Sequence, residues 1–98
     1  MIFEIEFTPE SIEDLKLLKK HEQVEIIDHM ETRLRYQPTT ETRNRKRLRP
    51  NGVAEWELRM GRFRVFYNVD EKESVVIIAA VGFKIGNVLF IRDEKRAL

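Results

Sequence analysis

Trp56-Glu57-Leu58-Arg59-Met60-Gly61-Arg62-Phe63-Arg64-Val65-Phe66-Tyr67-Asn68-Val69-Asp70 is the stretch that decides the fold. Trp56, Leu58 and Met60 alternate with Glu57 and Arg59, the period of two that places successive side chains on opposite faces of a strand. Gly61 sits in a short turn. Beyond it Phe63, Val65, Tyr67 and Val69 alternate with Arg62, Arg64, Phe66 and Asn68, so the stretch predicts a β-hairpin with one apolar face. The other face bears Arg59 and Arg64.

Downstream, Asp70-Glu71-Lys72-Glu73 marks a second turn, and Val75 to Val81 is an uninterrupted apolar run that Gly82 is expected to end. Such a run suits a central strand covered on both faces. The tail, from Asn87 to Ile91 and then Arg92 to Leu98, reads equally as a short strand or a helix. Upstream, Phe3, Ile5 and Phe7 alternate with Glu4 and Glu6, which predicts another strand. Thr8-Pro9-Glu10 is a helix start: a hydroxyl to cap free N–H groups, proline where no N–H is needed, and acid in the first turn. Ile12, Leu15 and Leu18 form the apolar stripe of that helix, which ends in Lys19-Lys20. A second helix follows His21, with Val24, Ile27, Met30 and Leu34 as its stripe, until Pro38 stops it. Thr39 to Asn51 is polar and reads as a loop. The order is β-α-α-β-β-β: one α+β domain over residues 1–98, with a helical hairpin packed on a mainly antiparallel four-stranded sheet.

Charge is distributed unevenly. Residues 33–64 carry ten Lys or Arg against three Glu, whereas the whole chain has 18 basic and 17 acidic side chains. The densest part is Arg43-Asn44-Arg45-Lys46-Arg47-Leu48-Arg49, and Arg59, Arg62 and Arg64 follow on the hairpin. A surface of this kind attracts a polyanion, and arginine grips phosphate oxygens with a planar fork. Phe66 shares the parity of Arg64, so it either stacks on a base or is buried by a third layer formed from the tail. Tyr67 belongs to the core.

Several classes of function find little support. With no cysteine there is no disulfide framework or thiolate nucleophile, and the longest apolar run is far short of the roughly 20 residues of a membrane span. The expectation is a soluble cytoplasmic protein with no membrane partner. No glycine-rich phosphate loop precedes a helix and no Asp/Glu/His cluster has metal-ligand spacing, so no metal or cofactor is expected. His21 and His29 receive no chemistry. Glu55 and Glu57 flank Trp56, and a carboxylate on the arginine face either acts as a base toward a ribose hydroxyl or, the preferred reading, pairs with Arg59 or Arg64.

The hairpin, followed by Val75 to Gly82 and Phe83-Lys84, resembles the RelE/ParE superfamily of type II toxin–antitoxin toxins, and the element order matches over nearly the whole chain. The resemblance implies a toxin with a cognate antitoxin partner and a toxin–antitoxin hetero-oligomer. Its first implication for activity is metal-independent cleavage of mRNA in the ribosome; the alternatives are inhibition of DNA gyrase and a catalytically weakened RNA-binding relative. It also implies site residues: Arg64, Lys84 and Arg59 as the catalytic set, with Arg43, Arg45, Lys46, Arg47, Arg49, Arg62 and Phe66 contacting RNA. Phe90 stands where one branch has a tyrosine, and Glu55 and Glu57 stand where that branch has lysines.

Overall fold

The apolar run at Val75 forms the middle of the sheet. In the computed structural model, which describes residues 2–92 and 94–98, the elements are β1 (Glu4–Phe7), α1 (Pro9–Lys16), α2 (Lys20–Leu34), β2 (Arg45–Arg47), β3 (Trp56–Met60), β4 (Phe63–Asp70), β5 (Val75–Ile85), β6 (Val88–Ile91) and β7 (Glu94–Arg96). The sheet order is β2-β3-β4-β5-β6-β7, with β1 paired to β5. Only the β1–β5 pair is parallel. The α+β architecture agrees with the sequence reading, but the sheet has seven strands among the described residues rather than four. β2 comes from the basic run that read as a loop, and β6 and β7 settle the tail as strand. Gly82 does not end the apolar strand, which continues to Ile85.

The principal core lies between the helices and one sheet face. Leu15 of α1 and Ile26, Met30 and Leu34 of α2 meet Trp56, Leu58, Val65, Tyr67, Val76 and Ile78. Here the helix stripes are corrected. Ile12 is exposed because the buried line of α1 follows Ser11, Asp14 and Leu15, and Val24 and Ile27 are exposed because that of α2 follows Ile26, Met30 and Leu34, a four-residue repeat that turns those positions outward. The expected cap of α1 is present: Thr8 Oγ1 accepts from the Ser11 N–H at 3.1 Å, with Pro9 in the first turn. Tyr67 is wholly buried, stacks on Trp56 and donates its hydroxyl hydrogen to the Pro38 carbonyl at 2.6 Å.

A second apolar cluster covers the other face. Phe66, Ala54, Ala80, Leu89 and Ile91 are buried together, with Leu48 and Val53 against them. β6 and the β2–β3 connection therefore form a partial third layer, and this is why β5 reads as apolar on both faces.

One edge of β5 is shared among three partners. β1 pairs with Val75 to Ile78, and β6 pairs with Phe83 to Ile85. Between them the Thr8 hydroxyl reaches the Ile78 carbonyl at 2.9 Å, and the buried Asp14 carboxylate accepts the Val81 N–H at 3.0 Å. Arg92 donates to both oxygens of Asp14 at 2.7 Å, tying the end of β6 to α1. Burial pushes the Asp14 pKa up against the opposing pull of the Val81 N–H and Arg92.

Glycine is required at the point where β6 begins to cross β5. A Cβ on Gly82 would lie 2.5 Å from the Phe90 carbonyl oxygen and 2.9 Å from Ile91 Cγ1. The first of these is backbone and cannot rotate away. Gly82→Ala is expected to cost about 1–3 kcal/mol by overpacking, read as a lowered denaturation midpoint; an unchanged midpoint would show that β6 is not held this closely.

Candidate functional site

The sheet face turned away from the helices collects the cations that period two assigned to it. Arg59 and Arg64 are directly opposed across β3 and β4, and Arg64 is opposed to Gly82 on β5. Like-charged neighbours on one face are unfavourable, and each arginine has a local remedy. Glu57, itself only 5 % exposed, accepts from Arg59 Nε at 2.7 Å. This is the ion pair preferred from the sequence, while Glu55 pairs with Arg47 instead, at 3.6 Å. Arg64 folds back over the hairpin turn, and its Nη1 donates to the carbonyls of Gly61 and Phe63 at 2.7 and 2.8 Å. Its Nε is buried and has no acceptor among the described residues. Burial pulls the Arg64 pKa down, partly offset by Glu57 and reinforced by Arg59.

Beside Arg59 lies a cavity of about 290 Å³ lined by Glu57, Arg59, Lys84, Asn87 and Arg96, with Leu48 and Leu89. Ala97 and Leu98 complete the lining, and three basic side chains thus surround one acidic side chain that already belongs to Arg59. The strand register explains the grouping. Lys84 is opposed to Leu89, and Leu89 to Arg96, so the three stand in a row across β5, β6 and β7 on one face. Lys84 is half-buried, and its ammonium has no partner among the described residues. Among the described residues Arg96 has only a Glu94 contact at 4.0 Å, with both side chains substantially exposed, worth little in water. The arrangement can hold an anion: converging cations in a partly enclosed polar cavity stabilise negative charge more than the same groups in open solvent.

Of the residues singled out from the sequence, Arg59 and Lys84 line this cavity, and Arg64 adjoins Arg59 without lining it. Lys46 faces the same side, opposite Glu57. Other expectations are corrected. Phe66 is wholly buried beneath β6, so it offers no face to a base. Arg62 leans to the helix side, where it donates to Glu22 at 2.8 Å and covers the Phe63 ring at 4.5 Å. Arg45 and Arg47 lie opposite the core residues Leu58 and Trp56; Arg45 donates to the carbonyls of Thr40 and Arg33, and Arg47 covers the Trp56 ring. All three arginines make contacts within the fold, with the side chains of Arg47 and Arg62 half exposed. Arg43 and Arg49 remain exposed.

Asn87 and Arg96 escaped the sequence reading. The tail had no clear period, and only the β6–β7 register brings Arg96 over Leu89. The sole signal was composition: one more arginine after an apolar stretch.

No metal site is built here: no group of three His, Cys, Asp or Glu among the described residues is arranged to hold an ion. None of the helices described is long and apolar enough to cross a membrane.

Comparison with known proteins agrees with this fold. Two solved structures share the fold. The toxin–antitoxin complex RelBE2 from Mycobacterium tuberculosis matches with a TM-score of 0.74 at 23 % identity, over 86 % of this chain and 100 % of that one. The archaeal RelE–RelB complex from Pyrococcus horikoshii OT3 matches with a TM-score of 0.66 at 22 % identity, over 83 % and 93 %. No curated protein sequence matches the chain. The sequence pattern described as the ParE toxin of the type II toxin–antitoxin system parDE matches residues 5–83. The chain therefore belongs to the ParE toxin family, within the RelE/ParE superfamily of type II toxin–antitoxin toxins.

Proposed function

We propose that this toxin is a metal-independent endoribonuclease that cuts mRNA in the ribosome and is held in check by an acidic antitoxin. The observation that carries the reading is the convergence of Arg59, Lys84 and Arg96 on a cavity beside Arg64. RNA carries its own nucleophile. A base takes the 2′-hydroxyl proton, the 2′-oxygen attacks the adjacent phosphorus, and the P–O5′ bond breaks as the 5′-oxygen receives a proton. The product ends are a 2′,3′-cyclic phosphate and a 5′-hydroxyl. Arg59 and Lys84 stabilise charge building on the phosphorane, and Arg64 adds a third positive charge from across the hairpin. Glu57 is the carboxylate on the cavity wall and takes the role of base. Arg59 engages this carboxylate in the isolated protein, so the isolated toxin should be a poor nuclease and the ribosome should supply orientation.

Expression without antitoxin, followed by mapping of mRNA 5′ ends, tests this. New ends inside translated codons are expected; growth arrest without them would overturn the assignment. Arg64→Ala should abolish arrest with little change in stability, because its bonds reach only carbonyls of its own turn. A fully toxic Arg64→Ala protein would remove Arg64 from the site.

A second reading is inhibition of DNA gyrase, favoured by the parDE description of the matching family and by the ion pair that occupies Glu57. Purified toxin would then block supercoiling by gyrase and leave mRNA intact.

The structural relatives are complexes of toxin with antitoxin, which supports a cognate antitoxin as partner here. Its acidic segment would lie across Arg59, Arg64 and Lys46, the cations that the helices leave uncovered.

A further inference from the structure

A second cavity, about 390 Å³, opens next to the first at the β2–β3 connection, and Leu48 lines both. Asn68, on the β4 face that also carries Arg64 and Phe66, forms part of its wall. The connection is firmly built. Asn51 accepts from the N–H groups of Val53 and Ala54 and donates to the carbonyls of Arg49 and Ala54. Two donors are nevertheless uncommitted among the described residues. Arg49 is exposed without a partner, and Asn68 spends its Oδ1 on the Glu55 N–H, leaving its amide hydrogens unused.

We infer that this cavity is a second nucleotide subsite, so that single-stranded RNA runs from the Arg59–Lys84–Arg96 cavity over Leu48 and sets the next nucleotide against Arg49 and Asn68. The inference rests on the RNA reading above and adds to it a length requirement. The volume lies within the range of about 300–1,000 Å³ usual for small-ligand pockets. Beside the Arg47–Glu55 pair, its lining combines Arg49 for phosphate, an amide for a base edge, and the apolar surfaces of Leu48, Pro50 and Val53 against which a ring can lie. A ligand confined to the first cavity would make none of these contacts.

Gly52 offers a clean test, since a Cβ there meets nothing within 4 Å and it lines the second cavity. Binding of a labelled mononucleotide and of a labelled oligoribonucleotide of six residues is measured at several salt concentrations for the wild-type protein, Gly52→Glu and Arg49→Ala. The longer RNA should bind the wild type about tenfold more tightly than the shorter. Gly52→Glu should erase that increment while leaving the mononucleotide affinity unchanged. Arg49→Ala should lower the salt slope for the longer RNA by about one. An increment that survives both substitutions overturns the second subsite, and mRNA cleavage by the same variants would show the toxin reading still standing. No binding at either length overturns both.

Discussion

Asp14→Ala should unfold this toxin readily, lowering stability by about 3 kcal/mol, or roughly 12–24 °C in thermal midpoint for a domain of this size. The loss has two sources. Without the carboxylate the buried Val81 N–H has no acceptor, in the gap where neither β1 nor β6 reaches β5. Arg92 also loses both oxygens that hold it, although its partial exposure lets water compensate in part. Thermal denaturation followed by circular dichroism measures the effect, and a change under 1 kcal/mol would show that water replaces the carboxylate. The pH dependence has a definite sign. Burial raises the Asp14 pKa above its unfolded value of about 4, so the folded state holds the proton more tightly. The stability this contributes is full below that value and is lost as pH rises through the raised one. Asp14→Asn keeps an acceptor for Val81 but does not titrate, so its stability should lack that decline.

Lys84→Ala should reduce RNA cleavage on the ribosome by about 10²-fold or more, the usual scale for removing one preorganised charge from a developing oxyanion, without changing the thermal midpoint. The separation of the two readouts follows from the structure. Only the Lys84 backbone is engaged, donating to the Arg62 carbonyl at 2.8 Å, whereas its ammonium has no partner among the described residues and lines the cavity. Lys84→Arg should retain much of the activity. Cleavage within twofold of the wild type for Lys84→Ala would place the reacting phosphate elsewhere, and loss of stability would make Lys84 a structural residue.

The strands that alternate cleanly were legible from the sequence because burial on one face leaves period two intact. Trp56, Leu58, Val65 and Tyr67 all reached the core that the pattern assigned to them. β2 was illegible for the opposite reason: Arg45, Lys46 and Arg47 carry no apolar alternation, and charge on an edge strand is a usual protection against unwanted pairing. The same parity that placed Arg59 and Arg64 correctly misled at Phe66, because period two names a face and not what lies over it. Arg62 sits in the turn, where strand parity does not apply, and it bent toward Glu22. The candidate cavity was half legible. Arg59 and Lys84 carried a motif, while Asn87 and Arg96 arrive through the register of β6 and β7.

The crowded edge of β5 also sets the order in which the toxin can become dangerous during its own synthesis. The contact between Thr8 and Ile78 joins residues 70 apart, so β1 must wait for most of the chain before it can dock, and closing so long a loop slows folding. The ribosome delivers the chain from the N-terminus, and Lys84, Asn87 and Arg96 emerge after every helix and after the hairpin. A nascent chain therefore has its helices and its hairpin before the cations proposed to hold phosphate. An antitoxin already present in the cell has that interval in which to meet the basic face before the last cations are in place.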